Sequence, residues 1–419
     1  MHGTAVVVIG AGQAGLAVSN LLTAASVGHV VLERGRTAES WRSRRWDSLR
    51  LLTPNWMGRL PGWSYRGSDP AGFMSAAEVA GYLGSYADSF DAPVVQGAEV
   101  RSVRRWAGGY LVVSDAGSWT ADAVVVATGY CDEPAVPAVA RDLDPTILQL
   151  TPDRYRNPDG VPDGGVLVIG ASATGVQLAD ELAAAGRDVV LAVGRHARMP
   201  RRYRGMDIMW WLDSMGLLDR RAGPADAARP PEPSLQIVGR ADGREVDLPS
   251  LAERGIHVTG RVSGFGSGTV ALADDLRITT AAADARLRRL LHRIDEFAAA
   301  RRLDGEVDPP ARPAASVPVP GYSAPSRLDL RANGIRTAIW ATGYRRRYPW
   351  LQLPVLDTAG DIRHAAGRTA LPGLMVVGMR WQSRRNSTFL DGVRHDAALV
   401  VDHLINEVLT RAETTRRAS

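Results

Sequence analysis

Residues 5–15 read Ala5-Val6-Val7-Val8-Ile9-Gly10-Ala11-Gly12-Gln13-Ala14-Gly15. The valine-rich apolar run is short, as in a strand buried on both faces of a parallel sheet. Leu16, Leu21 and Leu22 follow at helical spacing, Gly28 stops that helix, and Val30-Val31-Leu32 makes a second strand ending at Glu33. In the G-x-G-x-x-G turn, Gly10 permits the tight bend, Gly12 lets backbone amides approach a pyrophosphate, and Gly15 lets helix and strand pack closely. Gln13 and Ala14 complete the cradle, where the helix start offers unpaired N–H groups and a positive dipole end. Glu33 lies 18 residues beyond Gly15 and is placed to accept hydrogen bonds from a ribose diol, with Arg34 beside it.

The arrangement returns 160 residues later. Val166 to Ile169 is the strand, Gly170-Ala171-Ser172-Ala173-Thr174-Gly175 the turn, and Val176, Leu178, Ala179 and Leu182 the helix, which Gly186 ends before a strand at Val189 to Val193. Two dinucleotide sites on one chain are the expectation, and they differ at one telling position. Where the first unit has Glu33, the second has Arg195, with Arg198 and Arg201 close behind. An acid there hydrogen-bonds a bare ribose and repels a 2′-phosphate, whereas arginine attracts one. Opposite charges at contact are worth about 1 kcal/mol in water and about 4 kcal/mol in a half-shielded cleft. The first site therefore suits FAD or NAD and the second NADP.

Two apolar strands end in the same word, Ala127-Thr128-Gly129 and Ala341-Thr342-Gly343. Such ends read as crossing points where the chain passes between domains beneath the nucleotides. The predicted architecture is α/β, with two Rossmann-like domains. Between the first nucleotide elements, Trp41, Trp46, Trp56, Trp63 and Tyr65 interleave with Arg42, Arg44 and Arg45, read as a flap over the first nucleotide. Phe73 to Phe90 reads as an amphipathic helix, and Val94 to Trp106 and Tyr110 to Trp119 as strands of a small sheet. Met209, Trp210, Trp211 and Met215 read as core or interface packing. Asp275 to Leu303 carries an arginine-rich helical pattern. Ala222 to Pro233 and Asp304 to Pro325 read as connections, and Asp396 to Leu409 as the last helix.

The whole chain bounds the function. Its 419 residues, 45% hydrophobic and 23% charged, suffice for two domains with buried cores. The one cysteine, Cys131, excludes a redox disulfide within the chain and a cysteine-rich zinc site, and no metal site is expected. All 50 basic residues are arginine against 45 acids, spread along the chain rather than gathered in a stripe, so no nucleic-acid partner is expected. No apolar run reaches membrane-spanning length. A signal peptide is argued against by the absence of Arg or Lys before the first apolar stretch, leaving the cytoplasm as the expected compartment.

With both glycine turns and the paired Ala-Thr-Gly words in view, the chain resembles the class B flavin monooxygenases. It is most similar to their compact bacterial branch, akin to the plant indole-pyruvate monooxygenases. Trp46-Asp47-Ser48-Leu49-Arg50-Leu51, Gln149-Leu150, Tyr155-Arg156-Asn157-Pro158 and Pro200-Arg201-Arg202-Tyr203-Arg204-Gly205 carry the resemblance between the turns. It implies an FAD domain of residues 1–160 and 326–419 split by an inserted NADPH domain of residues 161–325, with Glu33, Trp41, Thr53 and Ala127-Thr128-Gly129 lining FAD and Asn386 to Leu390 by the isoalloxazine edge. It implies an enzyme that uses NADPH and O₂ to oxygenate a small organic substrate through a flavin hydroperoxide, with a homo-oligomer compatible. The family signature Phe-x-Gly-x-x-x-His-x-x-x-Tyr/Trp keeps only Tyr155, with Pro145, Ile147 and Thr151 in the other places. No side chain stands out as a catalytic acid or base. Two other readings stay open: an NADPH-dependent flavoprotein reductase serving a partner, and a nucleotide-sensing flavoprotein without turnover.

Overall fold

The strand His2–Ile9 is the centre of the first sheet, and its inner residues Val6, Val7 and Val8 have no solvent exposure. The computed structural model describes residues 1–223, 232–240, 242–316 and 326–410. His2–Ile9 pairs in parallel with His29–Leu32 on one side and Gly117–Val126 on the other, and Val94–Val95 extends the sheet beyond His29–Leu32. The helix Gln13–Ala24 crosses between the first two strands and packs Leu16, Val18 and Leu22 into the core.

Gly117–Val126 is one ten-residue strand with two tasks. Its first half pairs antiparallel with Gly109–Ser114, which pairs in turn with Val100–Trp106. Its second half pairs in parallel with Leu374–Val376. The expected strand at Tyr110 to Trp119 is thus interrupted by a turn at Asp115-Ala116, and the small sheet is continuous with the nucleotide sheet. The amphipathic helix forms at Ala76–Asp88, opened by a capping box between Ser75 and Glu78. The final helix, Val393–His403, continues as a π-type turn through Leu404–Leu409.

The second sheet is wholly parallel, in the order Leu148–Leu150, Ile335–Trp340, Gly165–Ile169, Val189–Ala192, His257–Thr259. By strand pairing it begins at Leu148 and ends at Trp340, outside the expected limits of 161 and 325. Ile335–Trp340 packs Ile339 into one face of this sheet and Trp340 into the other, and Leu148–Leu150 pairs along its outer edge. Each sheet carries apolar cores on both faces, as parallel strands require.

A fifth core belongs to neither sheet. Met57, Ile208, Met209, Trp211, Leu212, Leu218 and Ile237 pack there against Leu287, Leu291, Ile294 and Ala298 of the long helix Leu276–Ala300. This is the arginine-rich helix of the sequence, whose apolar stripe faces inward. The assembly forms a cap beside the first nucleotide unit. Residues 304–316 run on without helix or strand, while the rest of that expected connection (317–325) and most of the other (224–231) lie outside the described residues.

Candidate functional site

A cavity of about 590 Å³ opens over the first glycine turn. Its wall includes Gly10, Gly12, Gln13, Ala14, Glu33, Arg34, Trp41, Thr53, Ala127, Thr128 and Gly129. Of the residues expected around the first nucleotide only Gly15 is missing from that wall, because it lies beneath it. A Cβ on Gly15 would stand 1.8 Å from the carbonyl oxygen of Gly10, so the residue is glycine for the sake of the helix–turn contact. Gly10 has φ +105°, and a Cβ there would meet the Ala127 carbonyl oxygen at 2.8 Å.

Gly12 is different. Its φ is −85°, open to any residue, and a Cβ on it would meet nothing within 4 Å. The protein itself gives no reason for glycine there, and the vacant space is the cavity. The helix it begins has no side-chain cap and no acid in its first turn, so its leading N–H groups face that space unanswered. A bare N–H cradle under open volume is the donor set for a pyrophosphate.

Glu33 is held at the rim. Its carboxylate accepts from the Ala11 N–H at 2.7 Å and the Gly35 N–H at 3.1 Å, and the residue is only 8% exposed. Gln13 ties the cradle to two walls: its amide donates to the Thr388 carbonyl at 3.0 Å and accepts from the Trp41 indole at 3.4 Å. Thr388, Phe389 and Leu390 line the cavity, so the segment Asn386 to Leu390 does reach the site.

The tryptophan-rich segment does more than cover a nucleotide. Trp41, Arg44 and Arg45 line the cavity, with the Arg45 guanidinium over the Trp41 ring. Trp46 instead sits in the core of the second sheet, Trp63 packs with Tyr82 and Tyr86 on the helix Ala76–Asp88, and Trp56 joins the cap. The segment stitches three cores together. The cap contributes Met209, Leu212 and Leu218, so the stretch read as packing is core and cavity wall at once. Leu51, Leu52 and Tyr130 are also on the wall, as are Arg380, Trp381 and Arg385, which the sequence did not single out. These come from turns and irregular stretches, where no periodicity marks a facing side.

Tyr130 and Cys131 touch on the same wall; the neighbouring thiol and burial push the phenol up, and burial pushes the thiol up. Both are neutral at pH 7, so Cys131 is no thiolate nucleophile.

The second glycine turn repeats the first in detail. Gly170 has φ +108° beneath the Ala341 carbonyl, a Cβ on Gly175 would stand 1.7 Å from the Gly170 carbonyl oxygen, and Ser172 starts the helix Ala173–Ala184 without a side-chain cap. Ala173 and Thr174 occupy its first turn, and Thr342 is pinned by donating to the Ala135 carbonyl at 2.7 Å.

Arg195 is exposed just past the second strand of this unit. The other two expected arginines are not there. Arg198 is buried, its Nε and Nη2 both donating to Asp247 Oδ2 at 3.1 and 2.7 Å and its Nη1 to Asp284 at 2.9 Å. Arg201 is buried between Asp207, the Leu52 carbonyl at 2.8 Å and the Phe73 ring. Freeing Arg198 would strand two buried carboxylates at a cost of about 3–5 kcal/mol, and Arg201 is itself buried with its guanidinium engaged, so both hold the fold and neither reaches for a phosphate.

A family described as pyridine nucleotide-disulphide oxidoreductase matches residues 7–210. An uncharacterized CzcO-like oxidoreductase of Geobacillus kaustophilus is 31% identical over 97% of this chain and 99% of its own length. An indole-3-pyruvate monooxygenase of Oryza sativa subsp. japonica is 33% identical over 42% of this chain and 44% of its own length. A flavin-containing monooxygenase structure from Stenotrophomonas maltophilia superposes with a TM-score of 0.67 at 19% identity, covering 97% of this chain and 99% of that one. With a single cysteine, the disulphide chemistry in the family description has no internal partner here. Among the described residues no helix is long and apolar enough to cross a membrane, and no cluster of His, Cys, Asp or Glu is arranged to hold a metal. The chain belongs to the CzcO-like oxidoreductases.

Proposed function

We propose that this chain is an FAD-dependent monooxygenase that uses NADPH and O₂ to oxygenate a small organic substrate. The observation that carries the reading is Gly12, a glycine at ordinary φ on the cavity wall, with open space where a Cβ would stand. The residues fit FAD: an uncapped helix start for the pyrophosphate, Glu33 for the ribose, and an apolar end formed by Leu51, Leu52, Met209, Leu212 and Leu218 for a flat ring system. When bound, FAD supplies the hydride acceptor and the oxygen-activating centre.

The protein's part is to bind, orient and exclude water. The Gly12 cradle and Glu33 fix one end of the nucleotide. Gln13, through Thr388, registers the segment Asn386 to Leu390 against the cradle. The cap closes one side with apolar side chains, which keeps water from the reacting region. The second cradle, with Arg195 in the place of Glu33, takes NADPH.

The test is anaerobic addition of NADPH to FAD-loaded protein, followed by rapid mixing with O₂. Bleaching of the flavin absorbance and then a long-lived oxygenated-flavin spectrum are expected. Absence of bleaching would leave the nucleotide-sensing reading standing. Bleaching followed by immediate return to oxidised flavin would favour the reductase. Thr151 standing at the signature histidine gives that alternative its footing: its hydroxyl is spent on Asp153 at 2.6 Å.

A further inference from the structure

The strands Val189–Ala192 and His257–Thr259 are adjacent and parallel, with Ala192 opposite Thr259. Chains leaving the carboxyl ends of neighbouring parallel strands border the crevice where α/β proteins bind their ligands. Arg195 follows that shared rung by three residues and Arg261 by two. The two leave side by side: the Val193 N–H donates to the Thr259 carbonyl at 2.9 Å, and the Arg261 stem lies 3.9 Å from where a Cβ on Gly194 would stand. Larger residues at Gly194 would press on that stem.

A third arginine arrives from a distant element. Arg286, on the long helix Leu276–Ala300, donates from its guanidinium to the His196 carbonyl at 2.8 Å. The buried His196 ring turns back onto the Gly194 carbonyl at 3.0 Å, so the Gly194–His196 turn is a fixed platform. Arg261 bonds Asp275 at 3.3 Å with its side chain still 62% exposed, and Arg286 is exposed as well. Three arginines from three elements therefore meet at one short turn: Arg195 within it, the Arg261 stem against Gly194 and the Arg286 guanidinium on His196.

We propose that Arg261 and Arg286 join Arg195 in a subsite for a phosphomonoester dianion, the 2′-phosphate of NADPH, and that they set the choice between NADPH and NADH. The inference rests on the reading of the second cradle as the NADPH site and names the residues that Arg198 and Arg201 were expected to be. A phosphomonoester carries nearly two charges at pH 7, more than one guanidinium satisfies. Arginine's fork suits its oxygens. No other phosphate on the coenzyme needs this corner, since the pyrophosphate lies over the Ser172 helix start.

The experiment measures NADP⁺ and NAD⁺ affinities by calorimetry on FAD-loaded protein, for wild type, Arg261→Gln, Arg286→Gln and the double variant. Glutamine keeps a donor for the Asp275 and His196 contacts while removing the charge. NADP⁺ affinity is expected to fall about tenfold in each single variant (about 1.4 kcal/mol) and further in the double, with NAD⁺ affinity and the FAD spectrum unchanged. Wild-type discrimination retained in both variants overturns the subsite while leaving the coenzyme reading intact. Equal losses of NADP⁺ and NAD⁺ affinity also overturn it, since they make the two arginines supports of the turn. Wild type that binds the two coenzymes alike overturns the coenzyme reading itself.

Discussion

The carbonyl oxygen of Ala341 lies 2.4 Å from where a Cβ on Gly170 would stand, as the Ala127 carbonyl lies 2.8 Å from the same point on Gly10. The two Ala-Thr-Gly words are thus contact surfaces, each laid over the first glycine of a turn. Both glycines also sit at positive φ, where an L side chain costs about 1–2 kcal/mol before any collision. Gly10→Ala and Gly170→Ala should each lower the melting temperature by several degrees, because the obstructing atoms are backbone and cannot swing aside. A melt within one degree of wild type for either variant would show that these crossings are looser than drawn.

Gly12→Val separates ligand from fold. A Cβ there meets no protein atom within 4 Å, so the apoprotein should melt close to wild type. The new side chain projects into the cavity, so FAD should no longer copurify. The check is the 450 nm absorbance beside a thermal melt of the stripped protein, and full flavin content in the variant would contradict the cradle reading.

The parts of this molecule legible in the sequence are those with a short repeat or an obligatory glycine. Both turns, their helices and the Ala-Thr-Gly ends were visible because sterics leave few alternatives there. The cap was not, because its core joins Met57, Ile208 and Leu291 across more than two hundred residues, and no local pattern announces that meeting. The strand His257–Thr259 was missed because three residues leave no periodicity to read, and Arg261 was missed with it. Arg198 and Arg201 were misassigned because their carboxylate partners Asp247, Asp284 and Asp207 come from other elements or from the far arm of a hairpin.

Arg195 and Arg198 should therefore behave oppositely. Arg195→Ala is expected to leave unfolding unchanged and to lower the NADPH-over-NADH preference by about tenfold, or about 1.4 kcal/mol. Arg198→Ala leaves Asp247 and Asp284 buried with no counter-charge, which costs about 3–5 kcal/mol of stability. Its folded fraction should keep the wild-type coenzyme preference. Urea midpoints paired with initial rates on both coenzymes decide the matter, and an unchanged midpoint for Arg198→Ala would refute the buried-pair account.

Asp396 supplies a prediction on pH. It is fully buried on the helix Val393–His403, beneath the segment that carries Thr388 and Leu390 to the cavity. Burial pushes its carboxyl above the ordinary aspartate value of 3.8, an effect only partly offset by Ser383 and Ser387. A raised acid binds its proton more tightly in the folded chain than in the unfolded one. Stability from this group is then fullest below 3.8 and declines as pH rises through the folded value. Asp396→Asn removes the titration, so the variant should gain on wild type as pH climbs from 3.8, then hold a constant advantage once the wild-type carboxyl has ionised. Melting both proteins across pH 4 to 9 gives the difference curve directly. A curve that is flat, or that falls with pH, would mean that Asp396 is ionised in the folded protein, paired by the serines and Arg384 more strongly than it is desolvated.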